Sequence, residues 1–174
     1  EYMYDVFKLI FLHELGHWQY ARFKESWKMA YKKQAYNALK KQYANKSVPV
    51  NQKQLESWMQ EIIADYIAVL VYTKTSRQYD DSKQCTKHCY IAIGLFYGLI
   101  AMEELAYERY KKGTEKHPPV YIRQNAVREL YAGFFSDILK IPYDVFMENE
   151  IQEWYVIESY FSQIIEEYWR KHYG

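Results

Sequence analysis

A three-and-four spacing of apolar residues and histidines near the N-terminus is the feature that most restricts how this chain can fold. Met3, Val6, Ile10, His13 and His17 follow this spacing, which predicts an amphipathic helix over residues 2 to about 23. Val6 and Ile10 share one helix face with the two histidines, so the imidazoles are expected to point toward the protein interior. The N-terminal part of the chain therefore predicts a helical protein.

The rest of the chain continues the helical pattern, and almost no stretch alternates as a β-strand does. Pro49, Gly113 and Pro142 mark breaks, as does the polar segment 76–82. We predict further helices over residues 26–44, 52 to about 75, 83–112, 118 to about 141 and 143–173. The expected fold is all-α, with five or six helices around the N-terminal helix and any strands small or outside the chain.

Composition limits the classes of protein to which the chain can belong. It has 174 residues, 49% of them hydrophobic, which is enough for one domain with a buried core. The formal net charge of +1 gives no electrostatic basis for binding nucleic acid. The longest apolar run, residues 89–102, is shorter than the roughly 20 residues of a transmembrane segment. Cys85 and Cys89 are too few for a disulfide framework, so we predict free thiols and a reducing, cytoplasmic location.

Two candidate metal ligands lie one helical turn apart in the motif HELGH, residues 13–17. On a helix, His13 and His17 share one face about 5–6 Å apart, so both imidazoles can bind one zinc ion. Glu14 is rotated about 100° from His13, which puts its carboxylate beside the metal, where it can take a proton from zinc-bound water. Gly16 costs about 1 kcal/mol in a helix relative to alanine, and close approach of another backbone would explain it.

A third protein ligand is needed, because two histidines and a water leave a catalytic zinc site one ligand short. Glu61 in the motif EIIAD is the candidate, since it lies in an otherwise apolar segment where an unpaired carboxylate is costly to bury. The small Ala64 lets this helix approach the first one. Asp65 lies one turn after Glu61, where it can accept a hydrogen bond from the far nitrogen of a ligand histidine. Glu56, in a more polar setting, is the alternative ligand.

A third motif, HPPVYIR, occupies residues 117–123. Its histidine, His117, can be interpreted as a zinc ligand, a hydrogen-bond donor to the transition state, or a loop histidine. Its arginine, Arg123, can be interpreted as a partner of Glu61 or Asp65, or as a surface residue. Taken alone, this motif indicates no single role.

Together, the three motifs resemble the glutamate-zincin metallopeptidases in their order and rough spacing. They are most similar to the HtpX and CAAX-prenyl-protease type, which carries HExxH, then ExxAD, then HPPxxxR. Lit- and ImmA-type peptidases also resemble the chain in carrying HExxH and a later glutamate. The resemblance covers roughly residues 3–130 and implies a zincin-like site with zinc as cofactor. It implies His13, His17 and Glu61 as metal ligands and Glu14 as the general base.

The same resemblance implies that Asp65 orients a ligand histidine and that His117 and Arg123 belong to the site, with His117 a candidate catalytic residue. The sequence departs from the family in two ways. HtpX-type enzymes have transmembrane helices, and zincins usually present an edge strand upstream of the active-site helix, whereas residues 1–12 are predicted to be helical. We expect residues 1–174 to form a single metallopeptidase-like domain that is a piece of a longer polypeptide.

The leading hypothesis is therefore a zinc-dependent endopeptidase that hydrolyses a protein or peptide substrate. Either His117 or Tyr121 can donate to the oxyanion, and the sequence does not choose between them. The alternative is a non-catalytic helical interaction domain with a structural or vestigial metal site. The sequence leaves the oligomeric state open.

Two other segments have competing interpretations. Cys85, His88 and Cys89 can share one helix face, but no fourth ligand with zinc-finger spacing follows them. The Lys-rich segment 24–46, interleaved with tyrosines, has a composition that can contact nucleic acid. Because the total charge is balanced, we interpret it as a solvated helix face.

Overall fold

Every regular element in the described part of the chain is a helix. The computed structural model describes residues 2–44, 48–79, 83–106, 113–149, 156, 159–160, 163, 167 and 170–172. These residues contain no strand, and the all-α prediction is confirmed. The helices are α1 (Tyr2–Arg22), α2 (Glu25–Gln42), α3 (Gln52–Tyr79), α4 (Lys83–Ala106), α5 (Val120–Leu139) and α6 (Tyr143–Asn149).

Local chemistry explains several of the helix ends. The Asn51 side-chain oxygen accepts a hydrogen bond from the Gln54 backbone N–H at 2.9 Å, which caps the first turn of α3. Helix α5 begins directly after Pro119, where a missing N–H costs nothing. It ends where Lys140 adopts a left-handed conformation, with φ of 57°, shortly before Pro142. These ends thus follow from caps and prolines that are local to the sequence, whereas α3 continues to Tyr79, beyond its predicted end near residue 75.

Helix α3 lies at the centre of the molecule and packs against α1, α2, α4 and α5. Helix α5 also contacts α2 and α4, and α6 packs on α5. Aromatic side chains make up much of the core, consistent with a chain that contains 20 tyrosines. The largest fully buried side chains are those of Trp58, Tyr72, Tyr90, Tyr97, Tyr131, Phe146, Leu9, Leu39, Ile62, Ile63 and Ile93.

Other sequence predictions concern the ends of two helices, the cysteines and membrane spans. The predicted end of the helix over residues 83–112 (107–112) and the predicted last helix beyond residue 149 lie outside the continuous described ranges. Neither Cys85 nor Cys89 forms a disulfide bond, as predicted. In the part of the chain that is described, no helix is both long enough and apolar enough to cross a bilayer.

Candidate metal centre

The site begins with an unusually close crossing of α1 and α3. A Cβ atom added to Gly16 would lie 2.7 Å from the backbone oxygen of Ala64 and 3.0 Å from its Cα. Ala64 and Ala68 are fully buried, and their small side chains allow this approach. The glycine is therefore explained by the backbone of a second helix, and the crossing places the HELGH turn directly against the EIIAD turn.

At this crossing, His13, His17 and Glu61 converge. The two Nε2 atoms of the histidines lie 3.1 Å apart. Glu61 Oε1 lies 3.2 Å from His17 Nε2, and Glu61 Oε2 lies 3.6 Å from His13 Nε2. Ligand atoms around a tetrahedral zinc ion with bonds of about 2.0–2.1 Å are about 3.3 Å apart. Within the described residues, this is the one group of His, Cys, Asp or Glu side chains whose spacing fits a metal ion.

Asp65 fixes the orientation of His13 from behind. Its Oδ1 accepts a hydrogen bond from His13 Nδ1 at 2.8 Å. Arg123 donates to both oxygens of Asp65, from Nε at 2.5 Å and from Nη2 at 2.7 Å, and the hydroxyl of Tyr97 donates to Oδ2 at 3.0 Å. With Nδ1–H held by a carboxylate, the neutral His13 ring presents the lone pair of Nε2 to the candidate metal position.

Electrostatics keep both carboxylates of the site ionised. Burial opposes ionisation of Asp65, but the charge of Arg123 and the hydrogen bond from His13 outweigh it and hold the pKa of Asp65 far below its usual range. For Glu61, burial is likewise outweighed by the hydrogen bond with His17 and the charge of Arg123, so its pKa is lowered. That hydrogen bond raises the pKa of His17 in turn.

Arg123 joins the two carboxylates and is fully enclosed. Only 4% of the residue is exposed, and Nη2 lies 3.4 Å from Glu61 Oε2 as well as within hydrogen-bond distance of Asp65. Its position comes from the first turn of α5, which starts after Pro119. The structure therefore places this arginine against both carboxylates that the sequence proposed as partners, and not at the surface.

His117 reaches the site from a loop that is tied to α3. The backbone oxygen of Thr114 accepts hydrogen bonds from Trp58 Nε1 at 2.9 Å and from Gln54 Nε2 at 3.1 Å. The Thr114 hydroxyl accepts a hydrogen bond from the backbone N–H of His117 at 2.9 Å. These contacts leave His117 Nε2 3.6 Å from Glu61 Oε2, with 43% of the side chain exposed.

Glu14 lies on the solvent side of the centre and is exposed. Its negative charge contributes to the raised pKa of His17, and it is not among the three side chains whose ligand atoms converge. The candidate ligands are more enclosed, since 12% of the His13 side chain and 31% of the His17 side chain are exposed. His13 is thus enclosed, whereas Glu14 and part of His17 are exposed on the same helix.

The sequence interpretation of α1 was wrong at one position. Ile10 was assigned to the interior face with Val6, yet Ile10 is 44% exposed and Val6 only 1%. The buried residues of α1 are Val6, Leu9, Gly16 and Tyr20, and both α3 and α4 pack against this helix. The spacing predicted an apolar face correctly but did not show which edge of that face the neighbouring helix would cover.

The alternatives weighed from the sequence lie elsewhere in the structure. Glu56 is exposed and accepts a hydrogen bond from Gln52 at 3.3 Å. His88 Nε2 pairs with Asp5 at 2.8 Å, and its ring stacks on that of Tyr2 with centroids 4.5 Å apart. These contacts give the histidine between the two cysteines a role in joining α4 to α1.

Sequence reasoning did not identify Tyr97, Trp58 or Thr114 as part of the site. A tyrosine in the apolar segment 89–102 was a usable signal, because a buried hydroxyl requires a partner. The Trp58 indole N–H gave the same signal, but residue type could not identify its partner, the backbone oxygen of Thr114. Both contacts join segments that are distant in the sequence.

The fold and the site define an all-α protein with a candidate metal centre of two histidines and one glutamate. No protein-family model, curated protein sequence or solved structure matches the chain. The geometry and chemistry of its own residues therefore carry the functional argument.

Proposed function

We propose that this chain is a zinc-dependent endopeptidase in which His13, His17 and Glu61 hold the metal and Glu14 is the general base. One observation carries the proposal: donor atoms from α1 and α3 converge within 4.8 Å of one another, and 31% of the His17 side chain remains exposed. Three protein ligands with an open position are typical of catalytic zinc sites, whereas structural sites are closed by four.

The chemistry of the donors supports zinc in particular. Two imidazole nitrogens and one carboxylate suit zinc, whereas calcium and magnesium prefer oxygen ligands alone. The low pKa of Glu61 favours the charged form that binds a cation. The hydrogen bond from His13 Nδ1 to Asp65 fixes the tautomer that has Nε2 free. The spacing of the donor atoms, the negative charge of Glu61 and the tautomer of His13 therefore all suit a bound zinc ion.

The residues of the chain divide the catalytic work between them. His13, His17 and Glu61 would hold a zinc ion, which would act as a Lewis acid and make a water molecule acidic enough to lose a proton near pH 7. Glu14 lies beside the ligand pair, where its carboxylate can accept a proton from the attacking water and pass it to the leaving amine. His117 lies at the rim of the centre, 3.6 Å from Glu61, where a ring N–H can donate to the developing oxyanion.

The remaining residues of the centre hold it in place. Asp65 and Arg123 are buried and interact with His13 and Glu61. Such fixed geometry allows the base and the reacting carbonyl to meet without reorganisation.

The test is the Glu14→Gln substitution. The variant keeps the shape of the side chain and removes its basicity, so we expect zinc to bind at one ion per chain while peptide cleavage falls by at least about 10²–10⁴-fold. The matched control is Glu56→Gln, an exposed glutamate on α3 outside the centre, which should keep full activity. Metal content is measured by mass spectrometry of the purified protein, and cleavage with and without chelator.

The results separate this proposal from a non-catalytic role. Undiminished cleavage by Glu14→Gln would contradict the mechanism. Zinc bound without cleavage by any form of the protein would favour a structural metal site. A metal-free protein whose stability ignores chelator would favour a vestigial site in an interaction domain. A proteomic comparison of cells making the wild type and Glu14→Gln identifies the protein that is cut.

A further inference from the structure

Helix α1 exposes a row of large aromatic side chains on its solvent side. Tyr4, Phe7, Phe11 and Trp18 are 73%, 63%, 66% and 50% exposed. We call these four residues the aromatic stripe. Single exposed apolar residues are ordinary, but a contiguous row of them marks an interaction surface.

The aromatic stripe passes through the position of the proposed base. Positions 4, 7, 11, 14 and 18 follow three-and-four spacing, so they fall within about 80° of one another around a helix of 3.6 residues per turn. Glu14 therefore lies in the same row, between Phe11 and Trp18. Ile10, on the adjoining edge, is 44% exposed and continues the apolar surface toward the two histidines.

The dimensions of the aromatic stripe suit an extended peptide. From Tyr4 to Trp18 the helix rises about 21 Å at 1.5 Å per residue, which is the length of about six residues of extended chain at 3.3 Å each. Side chains on one face of an extended peptide are about 6.6 Å apart. Phe7 and Phe11 are separated by about 6 Å along the helix axis, so neighbouring aromatic rings can contact alternate side chains.

The charges on this surface favour a peptide over a lipid or a second copy of the chain. The Glu14 carboxylate would be costly to bury in hydrocarbon or against the same stripe of another molecule, whereas a peptide offers N–H groups to it. The basic residues of α1 already contact aromatic rings. Arg22 lies 3.6 Å from the centroid of the Trp18 ring, and Lys8 lies 5.7 Å from that of Tyr72.

We propose that the aromatic stripe is the substrate-docking surface of this centre and that it selects peptides with apolar side chains at alternate positions beside the cleaved bond. The inference rests on the proposed peptidase function and specifies its substrate class. Phe7, Ile10 and Phe11 lie on the N-terminal side of Glu14 and contact the greater part of the bound peptide. Trp18 contacts the part beyond the cleaved bond.

The experiment compares the double variant Phe7→Ser/Phe11→Ser with Phe134→Ser. Phe134 is a matched control because it is an exposed phenylalanine, at 42%, on α5. Zinc-loaded proteins are first given a library of unstructured peptides, and the cleavage sites are read by mass spectrometry. The best-cleaved peptide and a copy with its apolar residues replaced by serine are then used for kinetics.

For the wild type, we expect cleavage sites flanked by apolar residues at alternate positions. The double variant should raise KM at least about tenfold, equivalent to about 1.4 kcal/mol, with kcat little changed, because docking contributes equally to ground and transition states. Phe134→Ser should match the wild type. Binding of the fluorescently labelled peptide to Glu14→Gln protein gives a readout independent of turnover. Combining Phe7→Ser and Phe11→Ser with Glu14→Gln in one protein should raise the Kd for this peptide by the same factor as the KM.

Other results would overturn the inference in distinguishable ways. If the wild type cleaves without apolar preference, or the double variant keeps its KM, the docking surface is wrong while the peptidase stands. If the double variant only converts a dimer to a monomer in sedimentation, the aromatic stripe is a surface between copies. If it only abolishes binding to phosphatidylcholine–phosphatidylserine vesicles, the stripe contacts lipid. If no form binds zinc or cleaves peptides, the proposed function itself fails.

Discussion

The two sides of the candidate metal centre are built in opposite ways. On the α3 side, Asp65 is fully buried and receives hydrogen bonds from His13, Arg123 and Tyr97. On the solvent side, Glu14 is exposed and His117 is 43% exposed. The buried side has more hydrogen bonds than it needs to position one imidazole, and the open side has side chains free to meet a substrate.

This difference indicates that the buried residues stabilise the fold and that the exposed residues carry out the proposed chemistry. A buried charged network costs little when it is complete and a great deal when one member is removed. An exposed carboxylate or imidazole can be replaced with little effect on folding. Substitutions on the buried side should therefore change the free energy of unfolding, and substitutions on the open side should change the rate of cleavage.

The largest effect on folding is expected for Asp65→Asn. The substitution leaves the Arg123 guanidinium buried without its main counter-charge, so the free energy of unfolding should fall by about 3–5 kcal/mol. The measurement is urea denaturation in the presence of chelator, so that metal binding does not contribute to the apparent stability. Glu14→Gln, on the open side, should change the same quantity by no more than about 0.5 kcal/mol. Similar values for the two variants would contradict the division between the sides.

A smaller effect, confined to rate, is expected for His117→Ala. If this ring donates to the oxyanion, kcat should fall by about 10²–10³-fold, or roughly 2.7–4 kcal/mol of transition-state stabilisation. Zinc content and the free energy of unfolding should be unchanged. Tyr121→Phe is the paired variant, because the sequence left both residues open as donors and Tyr121 is 40% exposed. A loss of kcat in Tyr121→Phe alone would move the donor role to that residue.

Much of the fold follows from local patterns in the sequence. The first helix was predicted over residues 2 to about 23 and is observed at Tyr2–Arg22, since its apolar spacing is contained within the segment. Prolines and a capping asparagine set other ends in the same local way. The juxtaposition of HELGH and EIIAD was predictable because a carboxylate in an apolar helix and a glycine in a facing helix each demand an explanation.

The parts that escaped prediction depend on contacts between distant segments. Tyr97 contacts Asp65 only because α4 packs beside α3. The loop before α5 is held by Trp58 through a backbone oxygen, which no residue type can signal. The exposure of Ile10 depends on how far the helices packed against α1 extend over its apolar face. Periodicity defines an apolar face, but a neighbouring helix decides how much of it is buried.

The smallest effect in free energy is expected at the crossing of α1 and α3. This crossing sets the distance between Glu61 and the two histidines. Gly16→Ala would place a Cβ 2.7 Å from the Ala64 carbonyl oxygen, so α1 and α3 must move apart at a cost of about 1–3 kcal/mol. Gly133→Ala is the matched control, since its Cβ would meet nothing within 4 Å and should stabilise α5 by up to about 1 kcal/mol.

Zinc affinity, measured by competition with a chromogenic chelator, distinguishes the two alanines further. Separating α1 from α3 moves Glu61 away from the histidine pair, so Gly16→Ala should bind zinc more weakly, whereas Gly133→Ala should bind it as the wild type does. If both variants gain stability and keep their affinity, the close crossing is not what holds the ligands. In that case the hydrogen bonds around Asp65, on the buried side, would be sufficient to hold the three donors together.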